Sequence, residues 1–217
     1  MDIPIIYQDK DLIICTKPVG VQSESSGMPS LLSEQLNGND VFCVHRLDMA
    51  VGGLMVYALN SRAAASLSAQ ISGREFIKQY YAVVQGQPTE DETILCDLLY
   101  WDREKKKSYV VKRKRAGVKE ASLRYRTVSV QQDLSLLDIT LHTGRTHQIR
   151  VQFASRAMPL VGDVKYGSRY KSCPIALWSR ALSFTHPADG RAMHFEALPE
   201  SHFPWNLFFT EENHAIH

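Results

Sequence analysis

Asp48 stands two residues after an arginine in Val44-His45-Arg46-Leu47-Asp48. The glycine pair Gly52-Gly53 and the apolar run Leu54-Met55-Val56-Tyr57-Ala58-Leu59 follow it. A carboxylate in a short connector, ahead of a run long enough to form a buried strand, is fixed by a rigid element, and loops fixed in this way carry much of catalysis. Such a group can attack an electrophilic carbon or take a proton, provided it stays ionised. Removal from water opposes ionisation, and an arginine within about 4–6 Å favours it. Two arginines qualify as that partner. Arg145 lies in the distant stretch His142-Thr143-Gly144-Arg145-Thr146-His147-Gln148-Ile149-Arg150. Arg46 is nearer, but it shares a side with Asp48 only if the segment stays extended. Spacing alone does not choose between them. Turn chemistry also allows Asp48 merely to satisfy backbone donors.

Other chemistries find less support. His45, Asp48, His142, His147 and Asp163 are the residues from which a metal site could be drawn, but His142 and His147 are five apart and share no helical face. No His-Glu-x-x-His is present. We expect no metal. There is no Gly-x-Ser-x-Gly for a serine hydrolase and no glycine-rich phosphate loop. Cys15, Cys43, Cys96 and Cys173 form no Cys-x-x-Cys pair, so buried free thiols in a reducing compartment are expected.

Charge points to a partner. From Arg103 to Arg115 there are eight basic residues and one acid, a net +7, which leaves −5 for the rest of a chain whose total is +2. A cationic segment on an otherwise slightly acidic protein suits a polyanion. Lysines guarding an edge strand would look the same. The 217 residues are 44% hydrophobic and 22% charged, ordinary for a folded soluble protein. No apolar run approaches the ~20 residues that span a bilayer. Nothing at Met1-Asp2-Ile3-Pro4 resembles a signal peptide, so a cytoplasmic location is expected.

The elements that must position these residues follow from periodicity. Strands are expected at 3–7 and 12–16, then a short helix at 31–36 with Ser30 as its cap. Strand 54–59 leads to a helix from Asn60 or Ser61 to Ile71, with Ala64, Leu67, Ser68 and Ile71 on its inner stripe. A strand at 78–84 follows. From about Thr93 the pattern is β, with candidates at 108–112, 121–130 and 134–141, and the basic segment forms or flanks a hairpin. Leu137, Ile139 and Leu141 alternate as in a half-buried strand. A tight turn at Gly144 opens a helix to about Ala157, capped by Thr143, with Ile149 and Phe153 inward. Two last strands, 175–184 and 191–198, flank Pro187-Ala188-Asp189-Gly190.

Four stretches in order resemble the RluA-type RNA pseudouridine synthases. They are His45-Arg46-Leu47-Asp48, Lys78-Gln79-Tyr80-Tyr81-Ala82, Leu141-His142-Thr143-Gly144-Arg145-Thr146-His147-Gln148-Ile149-Arg150 and Gly162-Asp163-Val164-Lys165-Tyr166-Gly167. Asp11 to Pro18 and Leu182 to Pro187 add weaker agreement, so the likeness runs from about residue 8 to 199. It implies an α+β fold: a mixed, mostly antiparallel sheet in two lobes, with flanking helices and a central cleft for RNA. It implies an isomerase that turns uridine into pseudouridine in ribosomal or transfer RNA, as a monomer and without metal or cofactor. The alternative is a non-catalytic RNA-binding protein on the same fold.

By that resemblance Asp48 is the catalytic carboxylate, Tyr80 the aromatic that stacks on the uracil, and Arg145 the partner of the carboxylate. Lys78 and Ile149 line the pocket, and Arg46 helps displace the base. Lys105, Lys106 and Lys107 belong to the RNA-binding charge. The chain departs from the family in two ways. Val51-Gly52-Gly53 stand where Thr-Ser-Gly is usual, which removes a hydroxyl and is expected to loosen the loop. The chain also reads as one catalytic domain over 1–217, with no separate RNA-binding module ahead of it.

Overall fold

A strand that is apolar on both faces must be covered on both, and the run after Asp48 becomes a strand buried at every residue. The structure, a computed structural model, describes residues 1–209. In chain order its elements are β1 (Ile5–Gln8), β2 (Leu12–Lys17), α1 (Met28–Gln35), β3 (Phe42–Cys43), β4 (Gly52–Ala58), α2 (Ser61–Gly73) and β5 (Ile77–Gln85). There follow β6 (Glu92–Asp102), β7 (Lys107–Val111), β8 (Val118–Gln131), β9 (Leu134–Leu141), α3 (Gln148–Ala154), β10 (Leu177–Thr185) and β11 (Ala192–Glu196). They make an α+β chain of two compact units. One is Met1–Gln79 with Trp178–Pro199; the other is Tyr80–Leu177 with the segment from Glu200.

In the first unit the strand order is β1-β2-β4-β10, with β11 on β10 and β3 on β4. β2 and β4 pair antiparallel from Leu12↔Ala58 to Lys17↔Gly53. β4 and β10 pair in parallel through Trp178↔Gly52 and Ser179↔Gly53, which makes the sheet mixed. Leu12, Ile14, Leu54 and Val56 pack with Ala63 and Leu67 of α2 and with Leu182 and Phe184 of β10. Full burial of each large side chain contributes about 1.5–3 kcal/mol.

Both helices of this unit differ from the expected pattern. α1 begins at Met28, because Pro29 suits a first turn and Gly27 precedes it. A Cβ at Gly27 would lie 2.1 Å from the Gln22 carbonyl oxygen. Ser30 is therefore inside the helix and is not its cap. α2 has its expected cap: Asn60 Oδ1 accepts from Ala63 N at 2.9 Å, a contact worth about 1 kcal/mol. Its buried residues, however, are Ala63, Leu67 and Gln70, while Ser68 is exposed and Ala64 and Ile71 lie at the rim. The stripe is rotated because Gln70 is needed inside. Its amide accepts from Thr185 N and donates to Thr185 O, both at 2.8 Å, closing the end of β10.

In the second unit the order is β5-β9-β8-β6-β7. β6 and β8 run antiparallel from Glu92↔Arg126 to Tyr100↔Val118, so the basic segment spans the β6–β7 turn, β7 and the β7–β8 connector. Leu99 and Ala121 pack against Val151 of α3 and Tyr166. β9 alternates only over 137–140; Leu134 to Leu137 are all buried, and Leu141, expected inward, is half-buried.

The largest departure is α3. It starts at Gln148, with His147 ahead of it in the left-handed region at φ 54, and it ends at Ala154. Thr143 does not cap it. All residues from Gln148 to Phe153 are buried, so its polar members need partners. Gln152 Nε2 donates to Asp97 at 2.7 Å. Arg150 grips Asp163 through two hydrogen bonds, of 2.6 and 2.9 Å, with the side chains 6% and 1% exposed. Removing one member of a buried ion pair costs the pair's attraction and its hydrogen bonds, so Asp163→Ala is expected to lower unfolding stability by about 3–5 kcal/mol in denaturant titration. A loss below about 1 kcal/mol would mean that water reaches the pair.

Candidate functional site

The Asp48 connector is held from several sides by residues of its own unit. Val51 N donates to Asp48 O at 2.9 Å, which closes a tight turn. Met49 O accepts from Gly20 N at 2.8 Å and from Lys17 Nζ at 3.3 Å. Lys17 is 0% exposed. Its ammonium also donates to Pro18 O at 2.8 Å and Val21 O at 2.7 Å. Burial pulls the amine down to about 8, and the nearby Asp48 carboxylate acts in the opposite sense. On the other side Ser23 Oγ donates to Leu47 O at 2.8 Å and accepts from Leu47 N at 3.0 Å, while Tyr57 OH donates to Ser23 O at 2.9 Å. Leu47 is buried, Asp48 half-buried and Arg46 exposed. Arg46 forms an exposed pair with Glu24 at 3.1 Å.

His45 anchors the start of the connector. Its Nε2 accepts from Val56 N at 3.2 Å. Burial first, and the Lys78 charge second, pull its imidazole down to about 3, so the ring is neutral. With Nε2 accepting, the proton sits on Nδ1, which has no hydrogen-bond partner among the described residues. Lys78 itself, half-buried on β5, has its amine lowered by burial.

The expected loosening of the loop is not found. Gly52 and Gly53 are buried members of β4. A Cβ at Gly53, whose φ is +117, would come 2.4 Å from Ser179 O, a backbone atom, so glycine is required there. A Cβ at Gly52 would come 2.7 Å from the indole of Trp178. The space left by the absent side chain is filled.

In the second unit Gln148 builds the turn that carries Arg145. Its Oε1 accepts from Thr143 Oγ1 at 2.8 Å and from Arg145 N at 3.0 Å, and its Nε2 donates to Ser122 O at 3.1 Å. Thr143 Oγ1 in turn accepts from Ser122 N at 2.9 Å. Arg145, half-buried, donates from Nε to Glu120 O at 2.9 Å. Tyr80 on β5 is 5% exposed and Ile149 on α3 is 4% exposed. Lys17, Ser23 and Gln148 are the positioning residues that sequence reasoning did not single out. The signal for Lys17 was a lysine closing an apolar strand; Gln148 was a polar residue at an inner helical position.

The basic segment divides by role. Asp102 Oδ1 accepts from Glu104 N and Lys105 N, shaping the β6–β7 turn, and Lys106 adopts φ 46. Lys105 and Lys106 are exposed. Lys107 Nζ donates to Lys165 O at 2.7 Å and lies 4.8 Å from the centre of the Tyr166 ring, while Lys165 Nζ donates to Lys106 O at 2.9 Å. Arg115 lies over Tyr100 at 4.9 Å and Lys114 pairs with Glu120.

The structure gathers a different metal-ligand set from the one drawn from the sequence. Asp9, Asp11 and His186 bring three ligand-type atoms within 4.8 Å of one another. Their bonds account for them as a brace between turns. Asp9 accepts from Tyr7 OH, Asp11 N and Leu12 N and pairs with His186 Nε2 at 2.8 Å. These contacts outweigh burial and hold the Asp9 carboxyl down at about 2. The four cysteines are free; Cys15 is buried as expected, but Cys96 is exposed and Cys43 and Cys173 are intermediate.

A buried ammonium makes stability depend on pH. Between pH 8 and 10.5 the unfolded chain keeps the Lys17 proton and the folded chain releases it, so stability from this group rises with pH across that window. Lys17→Met removes the rise. The unfolding free energy of the parent is expected to gain on that of the variant by up to about 3 kcal/mol from pH 8 to 10. Parallel pH curves would contradict this.

Comparison with known proteins agrees with the motifs. The family described as RNA pseudouridylate synthase matches residues 11–155, the stretch that contains Asp48, Tyr80 and Arg145. An uncharacterized RNA pseudouridine synthase of Bacillus subtilis is 34% identical, over 92% of this chain and 70% of its own length. The dual-specificity RNA pseudouridine synthase RluA of Yersinia pestis is 31% identical, over 90% of this chain and 98% of its own. The solved structure of human RNA pseudouridylate synthase domain containing 4 shares the fold, with a TM-score of 0.78 at 22% identity over 94% of this chain and 91% of that one. The chain therefore belongs to the RNA pseudouridylate synthase family, and within it to the RluA type.

Proposed function

We propose that this chain isomerises uridine to pseudouridine in ribosomal or transfer RNA, with Asp48 as its catalytic carboxylate. The reaction breaks the bond from ribose C1′ to uracil N1 and joins C1′ to C5. The C5 proton leaves and N1 ends protonated, so no electrons are gained or lost and no redox cofactor is called for. Routes through attack on the sugar, attack on the base, or a glycal all need an ionised carboxylate at a fixed place. The observation that carries the assignment is the connector built around Asp48, closed by its own turn and tied to Lys17 and Ser23. Catalysis rewards such fixation because small misplacements of a reacting group cost large factors in rate.

The remaining roles are assigned with it. Arg145 supplies the positive charge that favours the ionised carboxylate. Tyr80 stacks on the uracil. Extruding a base costs a few kcal/mol, and stacking returns about 1–3 kcal/mol. Lys78 and Ile149 line the uracil pocket, and Arg46 helps to displace the base. Lys105 and Lys106 bind phosphates, which gives affinity with little sequence preference. Ribosomal and transfer RNA place the reaction in the cytoplasm, and the chain acts there as a monomer and a single catalytic domain. Among the described residues no helix is long and apolar enough to cross a membrane. The non-catalytic alternative draws on the altered loop; the steric fit of Gly52 against Trp178 supports the catalytic reading.

The test is isomerisation of ribosomal and transfer RNA fractions from cells that lack the gene, read by carbodiimide labelling and reverse transcription. The parent is expected to create pseudouridine at defined sites and Asp48→Asn to create none. RNA binding by the parent without any new pseudouridine would overturn the assignment. Arg145→Ala should lower the rate more than it weakens RNA binding. Charge reversal at Lys105 and Lys106 should instead weaken binding and shallow its salt slope by about 2. If both variants lost rate and affinity equally, the division of roles would be wrong.

A further inference from the structure

Two adjacent glycines in β4 are glycines for different reasons. At Gly53 the obstructing atoms are the backbone N and O of Ser179, at 2.5 and 2.4 Å from an ideal Cβ, and φ is +117. No change elsewhere in the sequence would make room. At Gly52 the obstructing atoms belong to side chains: Trp178 Cζ3 at 2.7 Å, Trp178 Cε3 at 3.1 Å and Val19 Cγ2 at 3.2 Å. Position 52 excludes a side chain because Trp178 is there. The indole is not free to swing away, since its Nε1 donates to Ala197 O at 2.8 Å. It is thereby tied to the segment after β11 while its ring lies against the first residue of β4.

Gly52 follows directly on the turn closed by Val51 N and Asp48 O. Val19, whose Cγ2 also borders the space beside Gly52, precedes Gly20, whose N–H holds Met49 O at 2.8 Å. The indole and Val19 therefore close off the space beside Gly52, next to the turn that carries Asp48. Neither Val51 nor Gly52 carries a hydroxyl, so no side-chain hydrogen bond from 51 or 52 can tether the turn.

We propose that Trp178 is a positioning residue for Asp48. Its hydrogen-bonded indole presses on Gly52 and fixes by packing a turn that lacks a hydroxyl tether of its own. This rests on the assignment of Asp48 as the catalytic carboxylate. Gly52 and Trp178 form a matched pair: a side chain at 52 displaces the ring, and loss of the ring removes the packing support at Gly52, leaving the turn to its hydrogen bonds with Lys17, Gly20 and Ser23.

The test is a double-mutant cycle on the whole protein with Trp178→Phe alongside. Initial rates of pseudouridine formation are measured against the concentration of pooled ribosomal and transfer RNA from cells lacking the gene, with thermal melts in parallel. Trp178→Ala is expected to lower the rate at saturating RNA by about ten-fold or more, leaving the half-saturating concentration within about two-fold. Trp178→Phe should restore most of the rate. Gly52→Ser should be as damaging as Trp178→Ala in the parent, yet add no further loss once Trp178 is alanine. A parent-like rate for Trp178→Ala would overturn the proposal. So would a loss confined to the half-saturating concentration, a phenylalanine variant with the same loss, or equal damage from Gly52→Ser in both backgrounds. A parent that makes no pseudouridine in any RNA overturns the functional assignment itself, whereas an active parent with an indifferent Trp178 overturns the positioning role alone.

Discussion

Burying an ammonium costs several kcal/mol unless acceptors surround it. Lys17 is buried, and its acceptors are the carbonyls of Pro18, Val21 and Met49. A strand that continued past Lys17 would commit its carbonyls to a ladder. Pro18 ends β2, the backbone turns, and the carbonyls it releases converge on the lysine. The break in the strand, the buried charge and the turn after Asp48 therefore stand together. Without the lysine, three carbonyls lose a charged donor; without the irregular backbone, the lysine has nothing to bind. The place of the Asp48 turn is set by this mutual need, more than by any preference of Asp48 itself.

The second unit meets the same problem with a neutral group. Arg145 sits on irregular backbone between β9 and α3, and the amide of Gln148 takes up its loose ends. One oxygen accepts twice and the nitrogen donates once. The left-handed His147 that follows is an uncommon conformation for a residue with a side chain, costing of the order of 1–3 kcal/mol. It is held by edge contacts of its ring with Trp101 at 5.3 Å and Tyr166 at 5.6 Å, and by a hydrogen-bonding contact between its Nδ1 and Tyr166 OH at 3.0 Å. In both units the residue with candidate chemistry lies on backbone outside helices and strands, fixed by a buried polar side chain from a different element or from the next turn.

This explains what the sequence makes legible. Strands β2, β4, β5, β10 and β11 follow from apolar runs bounded by glycine and proline, and α2 follows from its cap and period, because those signals are local. The helix expected from Gly144 starts only at Gln148 because Thr143 and Arg145 are claimed by Ser122 and Glu120 of β8, partners that no local pattern announces. The stripe on α2 is rotated for a similar reason: Gln70 serves Thr185 on a strand far along the chain. Gly52 is the clearest case. Read locally, a glycine beside another glycine means freedom; read with Trp178 present, it means that the space is taken. The sequence reading has Asp48 in a connector and Tyr80 on a strand, as the structure does; Arg145, read as opening a helix, lies on the turn before it. What it misses is Lys17, Ser23 and Gln148, whose work shows only once the carbonyls they satisfy are known.

Charge shows the same limit of local reading. The net +7 of the basic segment counts every cation alike, but the fold uses several of them. Lys107 and Lys165 exchange hydrogen bonds with each other's neighbourhood and bolt the β6–β7 turn to the 164–166 helical turn, while Lys114 and Arg115 are spent on Glu120 and the face of Tyr100. Lys105 and Lys106, both exposed, project from a turn whose backbone is fixed by Asp102 and by that bolt. Their long side chains still sacrifice rotamer freedom on binding, and phosphates carry no sequence information, so this charge sets how tightly a polyanion is held and not which one. Discrimination among polyanions cannot come from such charge and needs groups whose geometry is rigid. The two short connectors, stiffened by a buried lysine and a buried glutamine, have that rigidity.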